Sequence, residues 1–547
     1  MNMVKNYFRM LRQEFSGYNA KKLTGDLMAG ITVAAVALPL ALAFGVSSGA
    51  DAAAGLITAI IAGLVIGALS GGYYQISGPT GAMAAILMGV VAQYGMSGIF
   101  VATFMAGVLM VLASIFKLGK LTSFIPMPVI TGFTSGIAVI IALGQVDNFF
   151  GVTSHGHSTI EKLLSYGELG FAPNFAAVAL GLFVVLFMIF FPKKWNAVVP
   201  ASLISIIIAT IVSVIFKLDV AVVGAIPQTL LPESRLTFSA IDIGALPGLI
   251  SPAVSIAILG MIESLLCGAS AGRMTGVKLN SDVELMAQGI GNIVLPFFGG
   301  IPATAAIART SVAIKSGAVT RLTGIFHAIG LLIFMLVLAP VMSRIPLCAL
   351  AGVLMVTAWR MNEWHAIKYF FSHKLKSSIV LFLLTMVATI IFDLTVAILL
   401  GVGAALVFMV ANLSNLQINT AKVDPSRMNF MDEKIAKANE NALVVYISGP
   451  VVFANSQTVE ELGSQLNGYD RVYFSMRAVS DVDISGAQAL MTVLNQLKEK
   501  NVQIIMCGLS DRARRAFDRC DLTALVGEEN IYWSVDKALL GDRTSAK

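Results

Sequence analysis

Two charged residues lie within apolar stretches of the chain, where they could bind or move an ion. Glu263 stands in the stretch 247–267, and Arg309 stands in a shorter one that follows the Gly-Gly-Ile-Pro sequence at 299–302. A charged side chain at membrane depth costs at least about 2.5 kcal/mol, so it usually faces a water-filled cavity or a partner. We therefore interpret both residues as lining a transport path.

The stretch around Arg309 predicts half a membrane crossing. It runs from about 302 to 314, whereas a spanning helix needs about 20 residues. A similar Gly/Pro-interrupted stretch rich in small residues occurs at 75–83, and each is third in a run of seven apolar segments. Because seven is odd, the second copy enters from the opposite side, which predicts an inverted repeat with a site near the bilayer centre.

The composition predicts a polytopic α-helical membrane protein. Hydrophobic residues make up 57% of the chain and charged residues 12%, against about a quarter in soluble proteins. The basic stretch 1–25 lacks the features of a cleaved signal and is expected to remain in the cytoplasm. The net charge of +6 is assigned to loop orientation, and no nucleic-acid partner is expected. The four cysteines show no metal-ligand spacing, and no nucleophile with a nearby base emerges, so we predict no metal site and no enzyme.

Fourteen apolar segments can be counted. They lie at about 26–46, 52–70, 80–94, 98–116, 128–146, 174–191, 197–216, 247–267, 283–297, 302–314, 320–342, 347–359, 377–392 and 394–413. Loops after even-numbered segments hold most of the bases, namely Lys117, Lys120, Lys193, Lys194, Arg273, Lys278, Lys315, Arg321, Arg360, Lys368, Lys374 and Lys376. Cytoplasmic loops are rich in Lys and Arg, so both termini are expected in the cytoplasm and the protein in the inner membrane.

The composition changes after the last apolar segment. Residues 414–440 are polar and predict a linker, and 441–547 alternate strand and helix patterns that predict a small α/β domain. The predicted organisation is therefore a cytoplasmic segment 1–25, a transport domain 26–413, the linker and the α/β domain. Within the transport domain the repeats span about 26–216 and 247–413.

The chain resembles the SulP (sulfate permease and prestin-related) family of anion transporters over nearly its whole length. The resemblance rests on six motifs in order, at 37–44, 78–81, 124–133, 223–227, 262–266 and 299–310. The tail resembles the STAS domain that follows the transport domain in this family. The resemblance implies a seven-plus-seven inverted repeat divided into core and gate domains, a homodimer, and a cytosolic partner for the STAS domain.

The STAS-like tail departs from its soluble relatives at one position. Its Asp-Ile-Ser-Gly sequence at 483–486 is similar to the Asp-Ser-Ser-Gly motif of STAS phosphoswitches, but Ile484 replaces the serine that is phosphorylated there. We therefore expect a structural or docking role for this motif.

The helix starts predict an anion site. Helices beginning at about Thr80 and Ala303 would face each other, each with free N–H groups and partial positive charge. Thr80 can add a hydroxyl, small residues allow an oxyanion to approach the amides, and Arg309, one to two turns into its helix, supplies a full positive charge. Together with positions that the resemblance places at the pocket, the predicted substrate-binding residues are Phe44, Thr80, Gly81, Ala305, Ala306 and Arg309.

Each of these residues also has a structural interpretation. The small residues could serve helix packing, Thr80 could be a helix cap, Phe44 could fill the core, and Arg309 could snorkel to the interface. Many family members carry a glutamine where this chain has Leu40, so the resemblance does not identify the anion.

Glu263 is the predicted coupling residue. It could take up a proton, bind Na⁺ or pair with Arg309. The family's sodium-coupled bicarbonate carriers match an acid here with hydroxyls nearby, but Cys267 and Ile307 occupy the hydroxyl positions in this chain. The sequence therefore favours H⁺ over Na⁺ as the co-ion, with no other cofactor.

The expected function is secondary active transport of a small anion such as sulfate, bicarbonate or a dicarboxylate, by proton symport and core-against-gate movement. Alternatives are sodium-coupled bicarbonate symport, an uncoupled anion channel or exchanger, a uracil or xanthine carrier of similar architecture, and a membrane sensor that signals through the tail. The uracil or xanthine carrier is disfavoured because such carriers normally lack a STAS tail.

Overall fold

The computed structural model describes residues 2–119, 125–155, 159–192, 200–237, 243–392, 394–424, 433, 437 and 439–541. Of the bases used above to orient the loops, Lys120, Lys193 and Lys194 lie outside these ranges. The chain forms two compact units, Met1–Val402 and Gly403–Lys547.

The first unit is helical. Its elements are α1 Asn2–Glu14, α2 Ala20–Ser47, α3 Ala52–Leu69, β1 Ser77–Gly78, α4 Gly81–Ile115, α5 Met127–Gly144, α6 Val146–Phe150, α7 Thr159–Leu169, α8 Phe175–Phe190, α9 Ala201–Ile215, α10 Leu246–Thr275, α11 Ser281–Val294, β2 Thr304–Ala305, α12 Ile307–Lys315, α13 Leu322–Met342, α14 Leu347–Met361, α15 Trp364–Ser372, α16 Lys376–Ile391 and α17 Leu394–Leu413, which runs past the unit boundary. Among the described residues, six helices are long and apolar enough to cross a membrane.

A helix lies at each of the fourteen predicted apolar segments, which confirms the predicted fold class of a polytopic helical membrane protein. Helix α4 contains two of the segments, because Gly95 at φ 64° interrupts it. Several helices begin where an Asn or Asp side chain accepts a hydrogen bond from a first-turn N–H group. These caps are Asn19 for α2, Asp51 for α3, Asn174 for α8 and Asn280 for α11.

The tenth segment differs from the prediction. Its helix was expected to begin at Ala303 but begins at Ile307, because residues 302–306 are not helical and include β2. The preceding break is fixed by two polar side chains. Thr58 Oγ1 accepts from the Ile301 N–H at 2.8 Å, and Asn292 bonds both the N–H and the carbonyl of Ala303 at 2.9 Å. Non-local hydrogen bonds therefore keep this stretch out of the helix.

The helices pack in two groups. One group contains α2, α3, α4, α10, α11, α12 and α13, and the other contains α5, α6, α8, α9, α14 and α16, with fewer contacts between the groups than within them. We call them the core group and the gate group. This division matches the core and gate domains that the family resemblance implies.

Asp26 ties two helices of the core group together. Its buried carboxylate accepts hydrogen bonds from the Val319 and Thr320 N–H groups, from the hydroxyls of Thr320 and Thr323, and from the Tyr18 hydroxyl. Four of these five donors lie at or just before the N-terminus of α13, where a negative charge also interacts favourably with the helix dipole. Asp26 in α2 thus fixes the start of α13.

The second unit is an α/β domain. Its sheet has the order β3 Gln417–Lys422, β4 Ala442–Ser448, β5 Arg471–Ala478, β6 Gln503–Cys507 and β7 Ile531–Tyr532, with β3 antiparallel and the others parallel. Its helices are α18 Ser456–Gln465, α19 Ile484–Glu499, α20 Asp511–Arg519, α21 Leu522–Val526 and α22 Val535–Leu540. Strand β3 lies within the stretch that was predicted as a linker.

The Asp-Ile-Ser-Gly sequence of this unit forms a helix cap. Asp483 accepts from the Gly486 N–H at 2.8 Å and from the Phe453 N–H at 2.9 Å, which starts α19 and fixes the loop before it. A Cβ at Gly486 would lie 2.2 Å from the Val451 carbonyl oxygen, so this position must lack a side chain. Ile484 is exposed.

Candidate functional site

The two interrupted stretches meet at a short antiparallel bridge. In the pairing of β1 with β2, Ser77 lies opposite Ala305 and Gly78 opposite Thr304. Each strand leads within a few residues into a helix, through Thr80 into α4 and through Ala306 into α12, both in extended conformation. Because the strands are antiparallel, the helices leave the bridge in opposite directions, as an inverted repeat requires. Their positively polarised N-termini therefore lie next to each other.

Two N–H groups just before α12 are not available to an anion. Ala305 donates its N–H to Ser264 Oγ at 3.2 Å, and Ala306 donates to the Ile76 carbonyl at 3.0 Å. These two N–H groups are therefore already bonded within the protein, and the approach of an oxyanion to the amides past the small residues Gly81, Ala305 and Ala306 stays a prediction. The first-turn N–H groups without intrahelical acceptors are those of 81–83 in α4 and 307–309 in α12.

A cavity of about 830 Å³ lies against these helix starts. All seven residues predicted for substrate binding or coupling line it, namely Phe44, Thr80, Gly81, Glu263, Ala305, Ala306 and Arg309. Leu40, which stands in place of the family's glutamine, lines it as well. The core group provides these walls, and the gate group provides the opposite wall through Thr134, Met188, Ser202, Val353, Thr357 and Arg360. Pro200, just before α9, and Glu363, two residues after α14, also line that wall. The cavity therefore lies between the two helix groups.

Arg309 links the two repeats. It is the third residue of α12, not one to two turns into the helix as the sequence predicts. Its buried guanidinium donates from Nη2 to the Pro79 carbonyl at 3.0 Å, in the break before α4. Nη1 has no hydrogen-bond partner among the described protein atoms. A Cβ at Gly78 would lie 2.2 Å from Nη1, so only glycine leaves room for the guanidinium here. Arg309 is thus held inside the protein and does not snorkel.

Thr80 contacts the predicted coupling residue. Its hydroxyl donates to Glu263 Oε2 at 2.9 Å and makes no cap hydrogen bond to α4. Within the described ranges, no ion pair joins Glu263 to Arg309 within 4.0 Å. Glu263 is therefore bonded to Thr80 at the start of α4, and Arg309 is bonded to Pro79, the residue before Thr80.

Gly81 is needed for the packing of the cavity wall. A Cβ at this position would lie 2.3 Å from Ile141 Cδ1 and 3.0 Å from Phe44 Cε1. Phe44 therefore packs against the start of α4, and Ile141 of the gate group reaches the same point. Gly81 serves both interpretations made from the sequence, since it allows close packing and also lines the cavity.

Sequence reasoning missed the hydroxyls that hold the bridge. Ser264, next to Glu263, pairs its hydroxyl with that of Thr304 at 2.9 Å. Thr310 Oγ1 accepts from the Ile76 N–H at 3.1 Å and from Cys267 Sγ at 3.2 Å. Ser264 follows Glu263 in the sequence, and Thr310 follows Arg309. A hydroxyl next to a charged residue in an apolar helix was the pattern that could have indicated these two residues.

Comparisons with known proteins identify the family. The family model described as "Sulfate permease family" matches residues 23–387, and the model described as "STAS domain" matches residues 433–538. The "Putative sulfate transporter YvdB" of Bacillus subtilis (strain 168) is 36% identical over 95% of this chain and 97% of its own length.

Two solved structures share the fold. The transmembrane domain of the bicarbonate transporter BicA from a cyanobacterium is 32% identical and superposes with a TM-score of 0.65 over 70% of this chain and 98% of that one. The murine anion transporter Slc26a9, solved in the inward-facing state, has a TM-score of 0.84 over 96% of this chain and 92% of its own, at 17% identity. That likeness concerns the fold alone. The chain belongs to the sulfate permease family of anion transporters and carries a C-terminal STAS domain.

Proposed function

We propose that this protein is a proton-coupled symporter of a small oxyanion, which binds in the cavity at the two helix starts. The observation that carries the proposal is the hydrogen bond from Thr80 to Glu263, because it joins a titratable acid to the helix start that faces the anion. Arg309 and the first-turn N–H groups supply the positive charge that attracts the anion.

The coupling follows from electrostatics within one cavity. An ionised Glu263 repels an anion at the same helix starts, and this repulsion is strong where little water screens it. Protonation removes that charge, so proton and anion favour each other's binding by the same factor. The loaded core group then moves against the gate group, carrying Glu263 and Arg309 together.

Sodium coupling has less support from the side chains present. Na⁺ is a hard cation that prefers several oxygen ligands. Near Glu263 the Thr80 hydroxyl is one candidate, but the Cys267 thiol is buried and bonded to Thr310, and Ile307 offers no polar atom.

The anion is proposed as a class: sulfate, bicarbonate or a dicarboxylate. The relatives reported above are named for sulfate and bicarbonate, and both are small oxyanions that accept hydrogen bonds from N–H groups and arginine. Leu40 in the cavity wall replaces a polar side chain of many members, which favours an anion that is held mainly from the helix starts.

The test is flux in proteoliposomes. Counterflow of labelled sulfate, bicarbonate and fumarate under imposed proton and sodium gradients identifies the anion and the co-ion. We expect Glu263→Gln, which keeps a group that can bond Thr80, to retain exchange of the anion but to lose its dependence on pH. Glu363→Gln, in the same cavity but bonded to Thr131, is the matched control and should keep that dependence. Uptake by Glu263→Gln with unchanged pH dependence would refute proton coupling through this residue.

We further propose residence in the inner membrane with both termini in the cytoplasm, a homodimeric assembly, and a cytosolic partner for the STAS domain. The loop bases support the orientation. Native mass spectrometry of the purified protein tests the dimer, and labelling of single cysteines placed in loops tests the orientation.

A further inference from the structure

The cavity extends from the two broken helices to one face of the first unit. Its lining includes residues in the last turn of three helices and in the first turn of another, namely Met188 of α8, Lys315 of α12, Arg360 of α14 and Ser202 of α9. In the sequence, all four helix ends adjoin stretches that carry the predicted cytoplasmic bases. The mouth of the cavity therefore lies at the base-rich face.

The mouth carries charge on both walls. Lys315 belongs to the core group and Arg360 to the gate group, and one carboxylate, that of Glu363, also lines this region. Glu363 accepts a hydrogen bond from the buried Thr131 hydroxyl at 2.8 Å. No ion pair within 4.0 Å joins any of these three side chains to another in the described part of the chain. Among the residues that the structure describes, neither cation has a carboxylate oxygen within 4.0 Å, although both face the cavity.

Arg360 is the better placed of the two cations to hold an anion. Its Nη2 donates to the Met188 carbonyl at 2.8 Å, at the C-terminal turn of α8, which fixes the guanidinium at the gate wall. A guanidinium has five N–H donors, so the others remain available to a ligand. Ser202 lines the same part of the cavity and can add a hydroxyl. Lys315 has a flexible stem and acts as a point charge.

We propose that Arg360 forms a second anion site at the mouth of the cavity, on the gate side, separate from the site at Arg309. The inference rests on the proposed function, since it assigns a further contact for the transported anion. Arg309 belongs to the core group and Arg360 to the gate group, so relative movement of the groups changes the distance between the two cations. An anion entering from or leaving to the base-rich face passes Arg360, whereas one exchanging with the opposite face does not.

The first experiment measures transport from each face. Half-saturation concentrations for sulfate and bicarbonate are compared in right-side-out and inside-out vesicles. A hydrogen bond to a charged group contributes about 1.5–3 kcal/mol, so Arg360→Gln should raise the value at the base-rich face by about tenfold or more and leave the other face unchanged. Arg360→Lys should give a half-saturation concentration between those of the wild type and Arg360→Gln. Arg344→Gln is the matched control, because Arg344 lies just before the first residue of α14 and does not line the cavity. Equal changes at both faces, or none, overturn the proposal.

The second experiment does not depend on transport. A Ser202→Cys probe in a Cys520→Ser background is treated with methanethiosulfonate reagents of negative and positive charge. We expect faster reaction with the negative reagent, loss of that preference on adding Arg360→Gln, and protection of the thiol by sulfate or bicarbonate. If transport fails in every vesicle but protection requires Arg360, the proposed function fails and the anion site stands. If charge preference and protection survive Arg360→Gln, the site is refuted.

Discussion

Gly78→Ala tests whether the position of Arg309 determines anion binding. Gly78 does not have a positive φ, so the alanine backbone is allowed. The new methyl would lie 2.2 Å from Arg309 Nη1, while the nearest backbone atom, Ala59 Cα, is at 3.5 Å. The guanidinium must therefore move, whereas the strands and helices around it need not.

The size of the effect follows from the bond that is lost. The 3.0 Å hydrogen bond to the Pro79 carbonyl holds the guanidinium at the helix starts, and displacement from there removes the hydrogen bond that the guanidinium would donate to the anion. A hydrogen bond to a charged group contributes about 1.5–3 kcal/mol, and about 1.4 kcal/mol corresponds to a factor of ten in affinity. We expect the half-saturation concentration for the anion to rise by about 10- to 100-fold.

The assay is counterflow in proteoliposomes, with thermal unfolding in detergent measured in parallel. Gly324→Ala is the matched control, because it adds one methyl in the same core group with no atom closer than 3.7 Å. We expect both variants to unfold near the wild-type temperature and only Gly78→Ala to lose affinity. An unchanged half-saturation concentration in a well-folded Gly78→Ala protein would show that the guanidinium does not contribute to binding.

Three further predictions concern packing, helix capping and thiol chemistry. Gly81→Ala should abolish transport, because its methyl would lie 2.3 Å from Ile141 Cδ1, and Ile141→Ala in the same chain should restore part of the flux. Asp26→Ala leaves five donors without their acceptor and should lower the unfolding temperature more than any cavity variant, as read by a thermal shift assay. Burial raises the pKa of the Cys507 thiol to about 12, so at pH 8 maleimide should label the partly exposed Cys520 first, and mass spectrometry of peptides should find Cys507 modified only after denaturation.

The helical architecture was predictable because each membrane crossing needs a continuous apolar run, and these runs can be recognised directly in the sequence. The start of α12 was not predictable in the same way. Its preceding residues are small and tolerate both helix and extended conformations, and what decides between them is the pairing of β2 with β1 and the bonds from Thr58 and Asn292. Those partners are distant in sequence, so no local pattern reports them.

The members of the site were predictable, but their pairing was not. Charge within apolar stretches identified Glu263 and Arg309, and helix interruption identified Thr80 and Gly81. Whether Glu263 pairs with Arg309 or with Thr80 depends on side-chain directions within the fold, which residue types do not encode. Gly78 was included in a motif, yet its role in making room for Arg309 depends on the position of a side chain that is distant in sequence.

The hydrogen bond between Arg309 and the Pro79 carbonyl joins residues that are 230 positions apart. During synthesis the first half of the chain leaves the ribosome and enters the bilayer long before its counterpart exists. Until then the start of α4 has neither a strand to pair with nor a cation beside it. The anion site that we propose is therefore completed only when the second repeat has been made, and a chain that ends before α12 lacks both the partner strand and Arg309.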